Sequence, residues 1–483
     1  MFEDNDYRMR LEEAVQQNRR QIGRDSYRLE YHMMPPVGFL NDPNGLVQYD
    51  GTYHAFFQWN PFETTHGKKA WGHYTSEDLV SWKMAPVALM PDEWYDKNGC
   101  YSGSAVEHEG MLYLFYTGNV KDEENRRSSY QCLAVSEDGM AFKKHGPVLH
   151  VPKGYTPDFR DPKVWRENGD WLMIIGAQNE AGQGEAVLAR SENLVDWTFI
   201  GPIAGSGRNG LGDFGYMWEC PDLFRLDGQD VLIVCPQGLE AEGDKYHNLF
   251  QAGYFIGDFD PSQYTYDHGD FTELDRGFDF YAPQTFIDDD GRRILLAWMG
   301  MSDDQEQNQP TVENDWIHAL TIPRVLGIEG DTLTQNPVPE IERLRGERRH
   351  HDILLGAGEA FREEIGSCTE ISMDFESPVE GQFEMVIRND LKVTYENNRM
   401  VVERTVFSGK GTEQRAFFLE QLSGMRIFLD RSSVEMFING GKEVCTCRFF
   451  PNEDDTGVEL KTHAEVKCDM TLWNIKKDTI DMY

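Results

Sequence analysis

Three carboxylates occur in sequence settings that suit the chemistry of glycoside cleavage. Asp42 and Asp161 each precede a proline, and Glu219 lies two residues before Pro221. One carboxylate that attacks the anomeric carbon and one that protonates the leaving oxygen, about 5 to 5.5 Å apart, suffice for retaining hydrolysis. A third can stabilise the oxocarbenium-like transition state. The alternative is that Asp42 and Asp161 only cap turns, as Asp before Pro often does.

Tight-turn dipeptides recur along the first two thirds of the chain. They are Asp50-Gly51, Glu109-Gly110, Asn168-Gly169, Asp227-Gly228 and Asp290-Gly291, with glycines 59, 59, 59 and 63 residues apart. Glycine tolerates the positive φ of a primed hairpin turn, and the flanks are rich in β-forming residues. A second repeat begins at Ser76, Ser136 and Ser191. Units of about 60 residues with two hairpins predict four-stranded blades, and five of them predict a β-propeller.

The repeat also predicts where the three acids lie. Asp42, Asp161 and Glu219 stand eight or nine positions before the turn glycines of their repeats, whereas Tyr101 or Ser102 and Ala282 take that place in the other two. Proline cannot donate to a sheet ladder and suits the first residue of a strand, so the acids are predicted at the entrances of the innermost strands. Radial symmetry would gather them in one funnel, where repulsion and burial separate their pKa values. A β-solenoid or a large sandwich with accidental spacing is the alternative fold.

Composition limits the classes of partner. The net charge of −37 argues against nucleic acid or an anionic membrane, and reflects either a saline host or simply a soluble acidic surface. No apolar run approaches 18 residues, and the first 20 residues mix both charge signs, which predicts a short helix instead of a signal peptide. Eight cysteines without C-x-x-C spacing predict reduced thiols in a cytoplasmic protein and no metal site. No cofactor is expected.

Three motifs in this order resemble glycoside hydrolase family 32, which contains invertases, fructanases and sucrose-6-phosphate hydrolases. They are Asn41-Asp42-Pro43-Asn44-Gly45, Arg160-Asp161-Pro162 and Glu219-Cys220-Pro221. The resemblance implies that Asp42 is the nucleophile, that Asp161 stabilises the transition state and that Glu219 is the general acid and base. It covers nearly the whole chain and implies a retaining β-fructofuranosidase acting on sucrose, sucrose 6-phosphate or both.

The resemblance implies a set of substrate contacts as well. These are Leu40, Asn41, Gln58, Trp71, Tyr101, Ser102, Arg160 and Trp298. Asn41 is expected to orient the nucleophile, and Arg160 to hold sugar hydroxyls, with an ion pair to Asp161 or Asp42 as the alternative. Leu40 replaces a Met common in the family, and Phe39 replaces the usual Trp, so the pocket rim is where differences are expected.

The remainder of the chain alternates strands and turns and predicts a β-sandwich. The predicted organisation is a helical extension over residues 1–31, an all-β five-bladed β-propeller over 32–335, a linker over 336–351 and a C-terminal β-sandwich over 352–483. The sandwich resembles the family's C-terminal module. A stabilising role, including a homodimer contact, is expected for it, with sugar binding as the alternative.

Basic residues near the predicted site bear on substrate choice. The segment from Asn60 to Trp71 is similar to bacterial sucrose-6-phosphate hydrolases, so Lys68 or Lys69 is predicted to hold a sugar phosphate, with Arg126 and Arg127 as further candidates. Solvated loop charges are the alternative. Three other functions stay open at this point: fructan exo-hydrolysis, an inverting arabinan-type hydrolase, and a non-catalytic sugar-binding propeller.

Overall fold

A computed structural model describes residues 2–18, 25–476 and 479–482. It begins with helix α1, Phe2–Asn18. The predicted helix over the first 20 residues is therefore present as far as residue 18, and its last two positions lie outside the described residues. Within the described ranges, no helix is both long and apolar enough to cross a bilayer.

Small antiparallel sheets follow one another along the chain and form five blades among the described residues. Blade 1 holds β1 Gly38–Tyr49, β2 Thr52–Asn60, β3 Ala70–Ser76 and β4 Trp82–Met84; blade 2 holds β5 Cys100–His108, β6 Met111–Lys121, β7 Arg127–Ser136 and β8 Lys143–His150. Blade 3 holds β9 Tyr155–Glu167, β10 Asp170–Asn179, β11 Gly184–Ser191 and β12 Trp197–Gly205; blade 4 holds β13 Met217–Leu226, β14 Gln229–Gln237, β15 Gly253–Asp260, β16 Thr265–His268 and β17 Thr272–Glu273. Blade 5 holds β18 Tyr281–Ile287, β19 Arg293–Met299, β21 Ala319–Leu320, β22 Arg324–Glu329 and β23 Thr332–Pro337, while β20 Trp316–Ile317 adds to blade 1 beside β1.

The innermost strands close a ring. β1 contacts β5, β5 contacts β9, β9 contacts β13, β13 contacts β18, and β18 contacts β1. A closed ring of blades is a five-bladed β-propeller, so the predicted fold is confirmed and the solenoid alternative is excluded.

The repeated motifs occupy equivalent places in the blades. In the first four hairpins both turn residues have positive φ, as a type I′ turn requires, whereas the fifth pair lies in a longer loop over residues 288–292. The second repeat begins at the last residue of β3, β7 and β11, where a side-chain oxygen of Asp78, Asp138 or Asn193 accepts two backbone N–H groups. Each sequence repeat therefore corresponds to a local structure that recurs from blade to blade.

The prolines of the three motifs lie inside strands, not at their first residues as predicted. A register shift falls at the equivalent point of every innermost hairpin, beside Asp42, Tyr101, Arg160, Glu219 and Ala282. A β-bulge frees one residue from the ladder and tolerates proline, and it also re-aims the neighbouring side chains. The bulges thus turn one ring of side chains toward the propeller axis.

Two six-stranded sheets enclose a second core and form the predicted β-sandwich. After a 3-10 helix, Pro339–Leu344, the strands are β24 Arg345–Leu355, β25 Ala360–Glu364, β26 Thr369–Phe375, β27 Phe383–Ile387, β28 Leu391–Glu396, β29 Arg399–Thr405 and β30 Thr412–Phe418. They continue with β31 Gly424–Asp430, β32 Ser433–Ile438, β33 Glu443–Arg448, β34 Gly457–Thr462 and β35 Val466–Ile475, before β36 Ile480–Asp481 returns to pair with β4. The linker was predicted to end at residue 351, which falls inside β24. The charged residues at the start of this strand are exposed because β24 is an edge strand of its sheet.

Buried charges join the propeller to the sandwich. This interdomain cluster consists of His32, Asp275, Arg324, Asp430 and Glu435, all buried. The His32 ring contacts Asp430 at 2.9 Å through Nδ1 and Glu435 at 3.0 Å through Nε2. Arg324 donates to Glu435 at 2.5 Å and to Asp275 at 3.2 Å. Since His32 and Arg324 belong to the propeller and the two acids of β31 and β32 to the sandwich, the cluster fixes one domain against the other.

Candidate active site

A cavity of about 220 Å³ opens at one end of the propeller axis, and we call it the active-site pocket. Its lining comes from every blade: Asn41, Asp42, Gln58, His66, Lys69, Tyr101, Arg127, Arg160, Asp161, Glu219, Gln237, Phe250, Tyr281, Trp298, Met301 and Ser302. All three predicted acids are among these residues. A larger cavity of about 990 Å³ lies between other segments of the blades and contains none of the acids.

Asp42 is held by donors on both of its oxygens. Asn41 donates to Oδ1 at 3.1 Å, as predicted, and Gln58 donates to Oδ2 at 3.2 Å. Ser102 also donates a short hydrogen bond to Oδ2. The carboxylate is nearly buried, yet it still faces the pocket. It is therefore fixed in position without being covered.

Asp161 is positioned by its own backbone and by the neighbouring blade. Its φ is +66°, a left-handed conformation that costs an L-residue about 1 to 2 kcal/mol. Its N–H donates to Thr117 Oγ1 at 3.0 Å, and its Oδ2 accepts the Cys220 N–H at 3.0 Å. The Cys220 thiol lies 3.9 Å from an Asp42 oxygen and 3.7 Å from an Asp161 oxygen. The thiol thus bridges these two carboxylates.

Glu219 is surrounded by hydrogen-bond donors. Arg160 contacts Oε1 through both Nε and Nη2 at 2.8 Å, while Gln237 donates to Oε2 at 2.6 Å and Tyr281 at 2.7 Å. The predicted partners of Arg160 were sugar hydroxyls, or Asp161 or Asp42. In the structure its acidic partners are Glu219 and, at 2.7 Å, Asp158, so Arg160 chiefly fixes the third acid.

Burial and mutual repulsion perturb the titration of the pocket groups. Burial is the largest cause that raises the pKa of Asp161, to about 7, and the Glu219 charge adds to it while Arg160 opposes it. Burial also raises the pKa of Asp42, against the Ser102 hydrogen bond. Burial lowers the pKa of Lys69 to about 7, although Asp42 and Glu306 oppose that shift. Such shifts are typical of sites that transfer protons.

Most of the predicted substrate contacts reach the pocket, but Trp71 and Leu40 do not line it. Trp71 is fully buried, and its indole N–H donates to the Tyr101 carbonyl at 3.0 Å. Leu40 is fully buried in the propeller core. Side chains alternate along a strand, so Leu40 faces away from the pocket while its neighbour Asn41 lines it. Ser102 is buried too and acts on Asp42 instead of lining the wall.

The structure divides the predicted basic patch. Lys69 and Arg127 line the pocket, but Lys68 and Arg126 do not. The Lys68 ammonium lies 5.7 Å from the ring of Tyr7 on α1, and Arg126 pairs with Asp122 and Glu124 at 2.7 Å each. The Lys69 ammonium lies 3.7 Å from the Phe39 ring centroid and has no hydrogen-bond acceptor among the described residues.

Sequence reasoning missed part of the lining. Gln237, Phe250, Tyr281, Met301 and Ser302 were not predicted, and His66 lies in the segment from Asn60 to Trp71 that was considered only for its basic residues. Gln237 could have been found, because it pairs in register with Met217 at the start of the Glu219 strand. Met301 and Ser302 follow β19 in a loop outside the repeat, which offers no such signal.

A group of three side chains close enough together to hold a metal ion lies elsewhere in the described part of the chain. It consists of His350, Asp352 and Asp469, which are exposed on the sandwich and do not line the pocket.

Comparison with known proteins gives one consistent result. The family model "Glycosyl hydrolases family 32 N-terminal domain" matches residues 32–337, and "Glycosyl hydrolases family 32 C terminal" matches 340–474. The chain is 49% identical to a sucrose-6-phosphate hydrolase of Bacillus subtilis, over 98% of this chain and 99% of that one. Among solved structures, a sucrose-6-phosphate hydrolase from Lactobacillus gasseri superposes with a TM-score of 0.87 at 30% identity, covering 96% of both chains. A GH32 β-fructofuranosidase of Bombyx mori, BmSUC1, gives 0.85 at 33% identity, covering 99% of both.

Proposed function

This chain belongs to glycoside hydrolase family 32, and from that premise we propose that its active-site pocket cleaves the fructosyl bond of sucrose 6-phosphate and of sucrose with retention of configuration. The protein is a β-fructofuranosidase. The observation that carries the proposal is the convergence of Asp42, Asp161 and Glu219 on one pocket, each with its own set of hydrogen-bond donors.

Asp42 is the nucleophile in this proposal. Asn41, Gln58 and Ser102 hold its carboxylate in one orientation, so that an oxygen can attack the anomeric carbon of the fructosyl unit. Glu219 gives its proton to the leaving oxygen. A fructosyl ester on Asp42 results, and Glu219 then takes a proton from the water that hydrolyses this ester.

Asp161 is the stabiliser. It lies beside the nucleophile, with Cys220 between them, and burial together with the Glu219 charge raises its pKa. As positive charge develops on the sugar ring, the ionised form of Asp161 becomes favoured and lowers the barrier.

For the phosphate we propose Lys69 and Arg127 as the residues that recognise it. Both are cations at the pocket wall, and a phosphate would give the Lys69 ammonium the acceptor that it lacks among the described residues. A phosphate dianion would also offset the burial that lowers the pKa of this lysine. We also propose a cytoplasmic location, which the eight free cysteines support, and a homodimer.

A substrate panel tests this function. We expect hydrolysis of sucrose, and a higher kcat/KM for sucrose 6-phosphate, with fructose first released as the retained anomer. Lys69→Met and Arg127→Met should each lower the ratio of the two kcat/KM values by about tenfold, the value of one charge-assisted hydrogen bond. Lys68→Met is the matched control and should leave the ratio unchanged. A wild-type ratio near one would disprove the phosphate proposal, and release of the inverted anomer would disprove the mechanism.

A further inference from the structure

Glu219 presents a chemical problem in the observed arrangement. A general acid must carry a proton before it can give one away, and a carboxylic acid needs an acceptor for its O–H group. Both oxygens of Glu219 meet donors only: Arg160 twice on Oε1, and Gln237 and Tyr281 on Oε2. This arrangement suits the carboxylate. The leaving oxygen of a bound substrate can accept this proton, but before it is in place one of the three partners must reverse its role to hold the protonated acid.

Arg160 cannot do so, because a guanidinium has no acceptor. Tyr281 could accept only if its own proton went elsewhere. Its side chain is buried, and the hydrogen bond found for its hydroxyl in the described structure is the one to Glu219. Reversal at Tyr281 would therefore leave a buried O–H group without a partner, which costs about 1 to 3 kcal/mol.

Gln237 can reverse without such a loss. Its amide carries a donor and an acceptor on one flat group, and a half-turn about the last side-chain bond exchanges the two. Its backbone carbonyl accepts the Tyr216 N–H at 2.9 Å, so the residue is anchored while its side chain stays at the pocket wall. Its amide oxygen accepts no hydrogen bond from the described residues that a half-turn would break.

We propose that Gln237 is a positioning residue for the acid and base steps, whose amide turns with the protonation state of Glu219. The N–H group faces the carboxylate, and the amide oxygen faces the carboxylic acid. In the first half-reaction the proton passes from Glu219 to the leaving oxygen and the amide turns to donate. In the second the carboxylate takes a proton from water and the amide turns back. This inference rests on the proposed function, since it assumes that Glu219 is the acid and base.

Two substitutions separate this role from simple packing. Gln237→Met keeps the length but removes both donor and acceptor, and Gln237→Lys keeps donors only. Two substrates are compared: sucrose, whose leaving group needs a proton, and a nitrophenyl β-fructofuranoside, whose leaving group does not. We expect Gln237→Met to lower kcat about tenfold on sucrose and less than about twofold on the nitrophenyl substrate. Gln237→Lys should move the high-pH limb of kcat/KM for sucrose down by about one pH unit.

The matched control is Gln178→Met, because Gln178 donates to the Tyr216 carbonyl at 2.9 Å and does not line the pocket. This substitution should change neither kcat on either substrate nor the pH profile of kcat/KM. Equal losses on both substrates for Gln237→Met, or an unmoved high-pH limb in a folded Gln237→Lys protein, would overturn the inference. Glu219→Gln on the same two substrates isolates the premise. If it spares the nitrophenyl substrate, the acid role of Glu219 holds and only the Gln237 results decide; if both substrates lose equally, the proposed function itself fails.

Discussion

The active-site pocket and the interdomain cluster each gather three carboxylates, but they balance their charges differently. In the pocket, Arg160 is the cation bound directly to an acid, and burial raises the pKa of both Asp42 and Asp161. In the interdomain cluster, burial alone would raise the pKa of Asp430 and Glu435 too. His32 and the backbone N–H groups of Arg431 and Tyr31 outweigh burial at Asp430, and Arg324 with His32 outweighs it at Glu435, so the pKa of each acid is lowered.

The difference follows from what each region does. A pocket that must bind a sugar and exchange protons leaves Asp42 and Asp161 facing an opening, each with hydrogen-bond donors but without an ion pair. An interface has no such task and can pair its acids with buried cations. Even there Asp275, which shares Arg324 with Glu435, keeps a pKa raised by burial. The contrast predicts that substitutions in the pocket cost activity and not stability, and that substitutions in the interdomain cluster do the reverse.

The largest expected effect is that of Asp42→Asn. Loss of the proposed nucleophile should lower kcat by at least about 10⁴-fold. Because burial disfavours the charged form of Asp42, the neutral amide should leave the melting temperature unchanged or higher. Steady-state kinetics on sucrose measure the loss of kcat, and calorimetry on the same preparation measures the melting temperature. A clearly lower melting temperature would contradict the comparison even if activity were lost.

The next effect is expected from Arg324→Met. Arg324 is fully buried, and its removal leaves Asp275 without a cation and Glu435 with His32 alone, which should destabilise the protein by about 3 to 5 kcal/mol. Arg126→Met is the control, since that arginine is 74% exposed and an exposed pair contributes about 1 kcal/mol at most. Urea unfolding measures both. At low temperature the folded Arg324→Met protein should keep its kcat/KM, and a loss of activity without a loss of stability would reverse the assignment.

The sequence predicts the pocket but not the interdomain cluster, because a repeat relates the residues of the pocket and none relates those of the cluster. Asp42, Asp161 and Glu219 hold equivalent places in a repeat, so symmetry alone predicts that they meet. No repeat relates His32 to Asp430 or Arg324 to Glu435, which come together only when two domains dock. Arg160 shows the limit within the repeat: its position was predicted, but its pairing with Glu219 depends on the bulge that turns its side chain.

The smallest expected effect is the pH dependence that His32 gives to the interdomain cluster. Burial alone would lower the pKa of this imidazole, but its hydrogen bonds with Asp430 and Glu435 outweigh burial and raise the pKa to about 8. The ordinary pKa of an unfolded histidine is about 6.5. The protonated ring therefore stabilises the fold fully below about pH 6.5, and this contribution of about 2 kcal/mol is lost as the pH rises through about 8.

His32→Gln should therefore cost most at pH 6, and the gap from wild type should narrow by about 2 kcal/mol by pH 9. Urea unfolding at several pH values measures the gap, with His145→Gln as the control because that histidine is exposed. If the gap instead stayed constant across this range, the ring would be neutral in the folded protein and would act only as a hydrogen-bonding spacer. The interdomain cluster would then oppose three carboxylates to Arg324 alone, and its balance of charge would approach that of the active-site pocket.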